Sequence, residues 1–457
     1  MTSAEVYEES AGTAPPGVAQ VSLRRTLVPL ARDPLGGFER IGRAADGRLA
    51  RLNLGLTRPY LVTHPDHVQH VLRRPDLYRR EGMMWKPLQR LEGDGIAGEG
   101  PSWQVSRHIL QPMFTARNLG GLFGTMADAV TESLSVLQER AARGREVDLV
   151  DEMTAIAHRV LIRVLFSDRI TFAEAERLGQ AITAAFTSLG SRMLMPFVPD
   201  AVPMPGDRPF ARAVRTVDEL IYPRIRACRA EGSRGDDLVA VLARTVGEDG
   251  QLLDDKRVRD DVVSMFVAGT ETTGLALTWL WLLLQEHPEV REQVVAEVAD
   301  VVGDGPAAPQ HLPGLVFTRM VLQEALRLYP VGWVVPRTLA QPDELAGTRL
   351  SAGTTVLLSP YLTHRVPQFW DEPEAFRPQR FSPDREQRRH RFAYFPFGAG
   401  VHQCLGSHFF TVEAQLIVAG MLSRFRPRVA GEVSLRPRAT ASLRPRQRAR
   451  MVLDPAA

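Results

Sequence analysis

One cysteine, Cys404, ends a glycine-rich stretch, Phe397-Gly398-Ala399-Gly400-Val401-His402-Gln403-Cys404-Leu405-Gly406, where an apolar helix begins. Glycine tolerates positive φ and lets backbone approach a flat ligand closely. A cysteine at the start of a helix has its thiolate favoured by free N–H groups and the helix dipole. A thiolate on such a shelf suits an iron ligand beneath a porphyrin. In isolation the same pattern more often describes a buried free cysteine beside a turn.

Further groups gain meaning from company. Ala268-Gly269-Thr270-Glu271-Thr272-Thr273 places a glycine, an acid and hydroxyls inside an apolar stretch. Glycine costs about 1 kcal/mol there relative to alanine, and a buried carboxylate needs a partner. Hydroxyls that bond back to carbonyls bend a helix and admit a ligand or water. Such a site could carry protons into an apolar cavity; a Thr-rich turn facing solvent is the alternative. Glu324 and Arg327 are spaced to pair on one helix face, and Trp103 and Arg107 present an indole N–H and a guanidinium four residues apart, donors for a carboxylate. Arg337 follows Pro336 at the start of a strand. Each of these three occurs as readily without function.

The elements that position these residues are mostly helical. Arg257 to Glu286 reads as one long helix ended at His287-Pro288; further helices are expected at 65–72, 127–137, 153–166, 289–302, 317–329 and 404–422. Short β-like runs fall at 48–54, 60–63, 334–339, 345–350 and 355–358. Residues 79–100 read as a functional loop, and 1–20 as disordered, followed by a single domain over 21–457. The chain has 457 residues and a net charge of +3, from 56 basic and 53 acidic residues, too weak a bias to indicate nucleic acid. Two cysteines make no disulfide framework and suggest a reducing compartment. No signal peptide is evident, and the most apolar run, Leu275 to Leu284, is too short for a membrane span.

Taken in order, these groups resemble the haem-thiolate monooxygenases, the cytochrome P-450 family, from about Asp33 to Leu453. Phe397-x-x-Gly400-x-His402-x-Cys404-x-Gly406 looks like the cysteine-loop signature, with histidine where arginine is commoner. The resemblance implies a mostly α fold with a small β-rich part, and haem b between the long helix and the cysteine-loop helix. It makes Cys404 the axial iron ligand, with Trp103, Arg107, Arg337, Phe397, Gly398, His402 and Gly406 as cofactor contacts. Glu324, Arg327 and Arg380 match the structural ion pair and its third member. Glu271 and Thr272 match the acid and alcohol that deliver protons during O₂ activation. The pocket would be lined by Met84, Trp85, Phe186, Met193, Phe266, Ala268, Val331, Trp333 and Val334, which offer no charge. Arg90 and Arg192, nearby, read as solvent-exposed.

The expected reaction is insertion of one oxygen atom of O₂ into a bulky apolar small molecule, a terpenoid or other secondary metabolite, in a bacterial cytoplasm. Electrons would come from a separate ferredoxin or flavodoxin with its NAD(P)H reductase, steered by the basic run Arg385 to Arg391. Rival readings are a peroxide-driven or isomerising enzyme, a fatty acid or polyketide hydroxylase, and a non-catalytic haem sensor.

Overall fold

The computed structural model describes residues 17–21, 33–54, 57–83, 85–142, 146–195, 198–230, 237–247, 250–432 and 434–455. Most of this chain is helical, with small sheets at the periphery. The largest sheet takes β1 (Val18–Gln20), β2 (Leu49–Arg51), β3 (Tyr60–Val62), β4 (Tyr78–Arg79), β5 (Val335–Leu339) and β6 (Thr355–Leu358), in the order β1-β2-β3-β6-β5-β4. β1 runs parallel to β2, so the disorder expected for residues 1–20 does not extend to Val18–Gln20; residues 1–16 lie outside those described. In β5, Arg337 faces Val356 across the ladder and is buried.

The stretch 79–100, read from its glycines as loop, holds helix α1 (Lys86–Glu92), with Pro87 in its first turn and Gly93 at its end. Proline is pre-organised for a first turn and glycine for the left-handed exit. Gly93 has φ +67°, and a Cβ there would lie 2.0 Å from Asp260 Oδ2. The glycine spacing thus marks close backbone approach rather than lack of structure. Helix α2 (Gly100–Met113) follows and carries Trp103 and Arg107.

Two helices form the spine of the core. α3 (Leu149–Phe166) starts at Asp148, whose side chain accepts from the N–H groups of Val150 and Asp151. α4 (Asp255–Glu286) is N-capped by Asp254, which accepts from Arg257 N at 2.8 Å, and Pro288 follows its end. The glycines of α4 are used for packing. A Cβ on Gly274 would meet Thr154 Oγ1 of α3 at 2.3 Å, and one on Gly269 would meet Leu161 Cδ2 at 2.9 Å. Their helix-propensity cost, roughly 1 kcal/mol each, is offset by interhelical contact. α5 (Val316–Leu328) and α6 (Ser407–Arg424) pack on this pair. A hairpin of β7 (Pro437–Ala439) and β8 (Leu443–Pro445) is tied to α4 through Trp279 Nε1, which donates to Leu443 O at 3.0 Å.

Residues Asp255–Glu286 and Gly400–Arg424 each include a window long and apolar enough to cross a membrane, but 72% of each window is buried inside the protein. Both are core elements here, as nearly all-round hydrophobicity requires of a packed helix.

Candidate functional site

Cys404 stands just before α6. Its N–H donates to Phe397 O at 2.8 Å, closing the glycine-rich turn. Gly398 and Gly400 have φ of +66° and +74°, and a Cβ on Gly400 would meet Leu72 O at 2.4 Å. Both positions therefore require glycine. The Cys404 thiol is accessible to solvent, yet burial pushes its pKa up, opposed by the Gly406 N–H and by Arg107. A group that is deep but not covered at short range lines an interior cavity. A bound cation would reverse the shift and hold the sulfur as thiolate.

Beside the loop lies a cluster of cations, of which Arg337 is buried and Arg80 and Arg107 are partly covered. Arg107 of α2 donates to Gln403 O at 2.8 Å and to Gln111 Oε1 at 2.9 Å. The Trp103 and His402 rings lie 4.2 Å apart, and Arg80 covers the Trp103 ring at 5.4 Å. Among the described residues, the Arg337 side chain donates to Pro336 O at 2.9 Å. Burial, together with neighbouring Arg80, lowers Arg337 to about 10 against the pull of Glu99. Burial likewise lowers Arg80 to about 10, against the pull of Glu99. Glu99 is the carboxylate within this group: its Oε1 lies 3.1 Å from His402 Nε2 and its Oε2 accepts from Arg80 N at 2.7 Å. Burial alone would raise Glu99, but the His402 and Arg80 hydrogen bonds hold it down at about 2. Burial keeps His402 below its ordinary range, so its Nε2–H can donate to Glu99 as neutral imidazole.

Glu99, with the acid Glu92 acting on Arg80 from α1, does not balance Arg80, Arg107 and Arg337, and Arg80 Nε is buried without a hydrogen-bond partner among the described residues. Such a donor set fits a group carrying two carboxylates. Together with an accessible thiol on a glycine shelf, it fits an iron porphyrin. Arg80 and Glu99 were not anticipated from the sequence, because they meet His402 across some 300 residues.

α4 supplies the other wall. Ala268 and Thr272, one turn apart, are exposed although this helix lies in the core, so they too face the interior. Thr272 Oγ1 donates to Ala268 O, the back-bond that loosens a helix turn. Glu271 points elsewhere. Its Oε1 accepts from Ser442 Oγ at 2.6 Å and is ion-paired with Arg444 Nη2 at 2.8 Å, which fixes it to the β7–β8 hairpin.

Glu324 and Arg327 are fully buried and make a two-pronged pair at 2.6 and 2.8 Å. Arg327 also donates to the carbonyls of His364, Pro373 and Ala375. Glu324 Oε1 accepts from Arg377 N at 2.8 Å and lies 3.4 Å from Arg380 Nε. This network clamps the segment 364–380 to α5.

The residues expected to line a pocket separate into groups. Ala268 faces the interior; Trp85, Phe186, Met193 and Val334 are partly covered; Met84 lies outside the described residues. Phe266 is instead a core residue, 2% exposed and packed edge-on against His158. Trp333 and Val331 are buried and bonded to the β7–β8 turn, Trp333 through Thr440 O and Val331 through Leu443 N. Arg192, expected in solvent, is buried, with Asp207 at 2.7 Å and three carbonyls as partners; Arg90 joins it on Asp207 at 3.0 Å. In the basic run, Arg389 packs on the Trp370 and Phe381 rings, whereas Arg385, Arg388 and Arg391 are exposed.

Comparison with known proteins gives a consistent picture. The cytochrome P450 family model matches residues 43–452. The chain is 34% identical to a cyclooctat-9-en-7-ol 5-monooxygenase of Streptomyces melanosporofaciens, over 91% of this chain and 89% of that one. It is 30% identical to a pentalenene oxygenase of Streptomyces avermitilis, over 97% of each chain. Among solved structures, the cytochrome P450DA heme domain superposes with a TM-score of 0.86 at 25% identity, covering 97% of both chains.

Proposed function

The chain belongs to the cytochrome P450 family, and from that premise we propose that it oxygenates a bulky terpenoid, with Cys404 as the iron ligand of haem b and residues 21–457 as one functional unit. The observation that carries this reading is the deep, accessible Cys404 thiol beside buried and partly buried cations that outnumber the carboxylates facing them. Arg80, Arg107, Arg337, Trp103 and His402 would hold the porphyrin carboxylates, and Phe397, Gly398 and Gly406 would shape the shelf. Bound there, the group supplies O₂ activation, which thiolate donation favours.

The remaining work falls to this chain's residues. Thr272 spends its own proton on Ala268 O, so its oxygen lone pairs are left to accept a hydrogen bond from the cavity. Glu271, the residue before Thr272, is paired with the half-exposed Arg444, where a carboxylate can pass protons inward from solvent. Thr272→Ala is expected to lower product formed per NAD(P)H consumed by about tenfold or more, with the lost electrons appearing as peroxide. The readout is product against NAD(P)H oxidation in the presence of a ferredoxin or flavodoxin and its reductase. Equal coupling in wild type and variant, or full turnover by wild type on peroxide alone, would favour the peroxide-driven or isomerising reading instead.

A terpenoid is favoured over a fatty acid because Arg192, a buried cation next to the expected pocket residue Met193, is already neutralised by Asp207. Relatives named for cyclooctatenol and pentalenene point the same way. Electrons would come from a cytoplasmic donor with an acidic face, docking near Arg385 and Arg388. Reversing both charges to glutamate should slow reduction by about tenfold at low salt and flatten its salt dependence. Stopped-flow reduction that keeps its rate and salt slope would place the donor elsewhere.

A further inference from the structure

Glu92 is an acid that the mechanism above does not use. It closes α1, and its backbone is pinned to the start of α4. Arg259 Nη1 donates to Leu91 O at 2.8 Å, Ser264 Oγ to Glu92 O at 3.3 Å, and the N–H groups of Asp94 and Ile96 reach Asp260 and Asp261. Ser264 precedes Ala268 by one helical turn, and Ala268 precedes Thr272 by another. Glu92 therefore sits at the head of the α4 stripe that faces the interior.

Its carboxyl has no hydrogen-bond partner among the described residues. The charge acting on it is Arg80, which is already engaged by Gly98 O at 2.6 Å and by Glu99 at 3.8 Å. Burial raises the carboxyl to about 7, yet Glu92 is only partly covered. Like Cys404, it is deep but bare at short range, which describes a cavity wall. A carboxyl on a cavity wall without a hydrogen-bond partner costs stability unless a ligand completes it.

The surroundings select that ligand. A cationic amine would meet Arg80 close by. An anionic ligand would meet the carboxylate. A hydroxyl group donates to the ionised acid and accepts from the neutral one, so it satisfies Glu92 in either state. We propose that Glu92 is a specificity residue that hydrogen-bonds a hydroxyl already present on the substrate, so that the enzyme takes a terpenoid alcohol in preference to the parent hydrocarbon. The reaction class that supplies the substrate is then a prior hydroxylation, or the water-quenched cyclisation of an isoprenoid. This inference rests on the terpenoid reading and narrows it.

The test is optical titration of the ferric, haem-loaded full chain with a polycyclic diterpene hydrocarbon and its monoalcohol, following the low- to high-spin shift. Wild type should bind the alcohol about tenfold more tightly, the worth of one buried hydrogen bond. Glu92→Gln should keep that preference within a few-fold, and Glu92→Leu should lose or invert it; Glu92→Ala replaces leucine if the latter does not fold. The reduced CO spectrum of each variant reports an intact site. Alcohol preference that survives in Glu92→Leu or Glu92→Ala overturns the proposal while leaving the terpenoid reading in place. Binding of neither ligand by wild type with an intact site overturns both.

Discussion

Cys404→Ser is expected to retain haem but to lower oxygenation of any bound substrate to below about one-thousandth of wild type, the scale of loss when one member of an interdependent catalytic unit is removed. The change leaves the shelf intact, since Gly398, Gly400 and the Cys404 N–H to Phe397 O bond do not depend on the side chain. It also leaves Arg80, Arg107, Arg337, Trp103 and His402 in place to hold the porphyrin carboxylates. What it removes is the soft, electron-donating sulfur. Haem content and product rate, measured on the same sample, separate the two contributions. A serine variant that turns over near the wild-type rate would show that the thiol is structural and that iron is ligated elsewhere.

Glu324→Ala should have the largest effect on the fold. Arg327 would be left fully buried with three carbonyls and no counter-charge. Arg377 N would lose its acceptor and Arg380 its carboxylate. Breaking one side of a buried ion pair costs about 3–5 kcal/mol, a large share of the roughly 5–15 kcal/mol that holds a typical protein together. The segment 364–380 leads directly into the run before Cys404, so its release should free the cysteine loop as well. The variant is expected to accumulate as protein that does not retain haem, read by the ratio of haem to protein after purification and by the urea midpoint of haem release. An unchanged midpoint would show that the pair is not what clamps this segment. Glu324→Gln should be milder, since an amide still accepts one hydrogen bond from Arg327.

Local chemistry was legible in the sequence wherever the meaning of a residue depends on near neighbours. The glycine–cysteine stretch, the Glu324–Arg327 spacing and the Trp103–Arg107 spacing each describe one turn or one helix face, and the helices at 65–72 and 255–286 end where proline or a cap ends them. Pairings between distant segments were not legible. Glu271 read as a proton-delivering acid, but nothing in Ala268 to Thr273 announces that Ser442 and Arg444 hold it, 171 and 173 residues away. Arg192 read as a surface arginine because arginine usually is one; the turn that brings Asp207 and three carbonyls around it has no local signature. Phe266 is flanked by apolar residues and read as pocket wall, yet the helix phase turns it towards His158. Glycines at 93 and 95 suggested a loop, whereas each marks a place where α4 acids press against backbone.

The most direct test of the central claim is the absorption spectrum of the purified, haem-loaded protein after reduction and exposure to CO. Ligation by the Cys404 thiolate predicts the strongly red-shifted Soret band of a thiolate–haem–CO complex in wild type and its absence in Cys404→Ser. A wild-type band at the position of an imidazole- or oxygen-ligated haem, with or without Cys404, would contradict it.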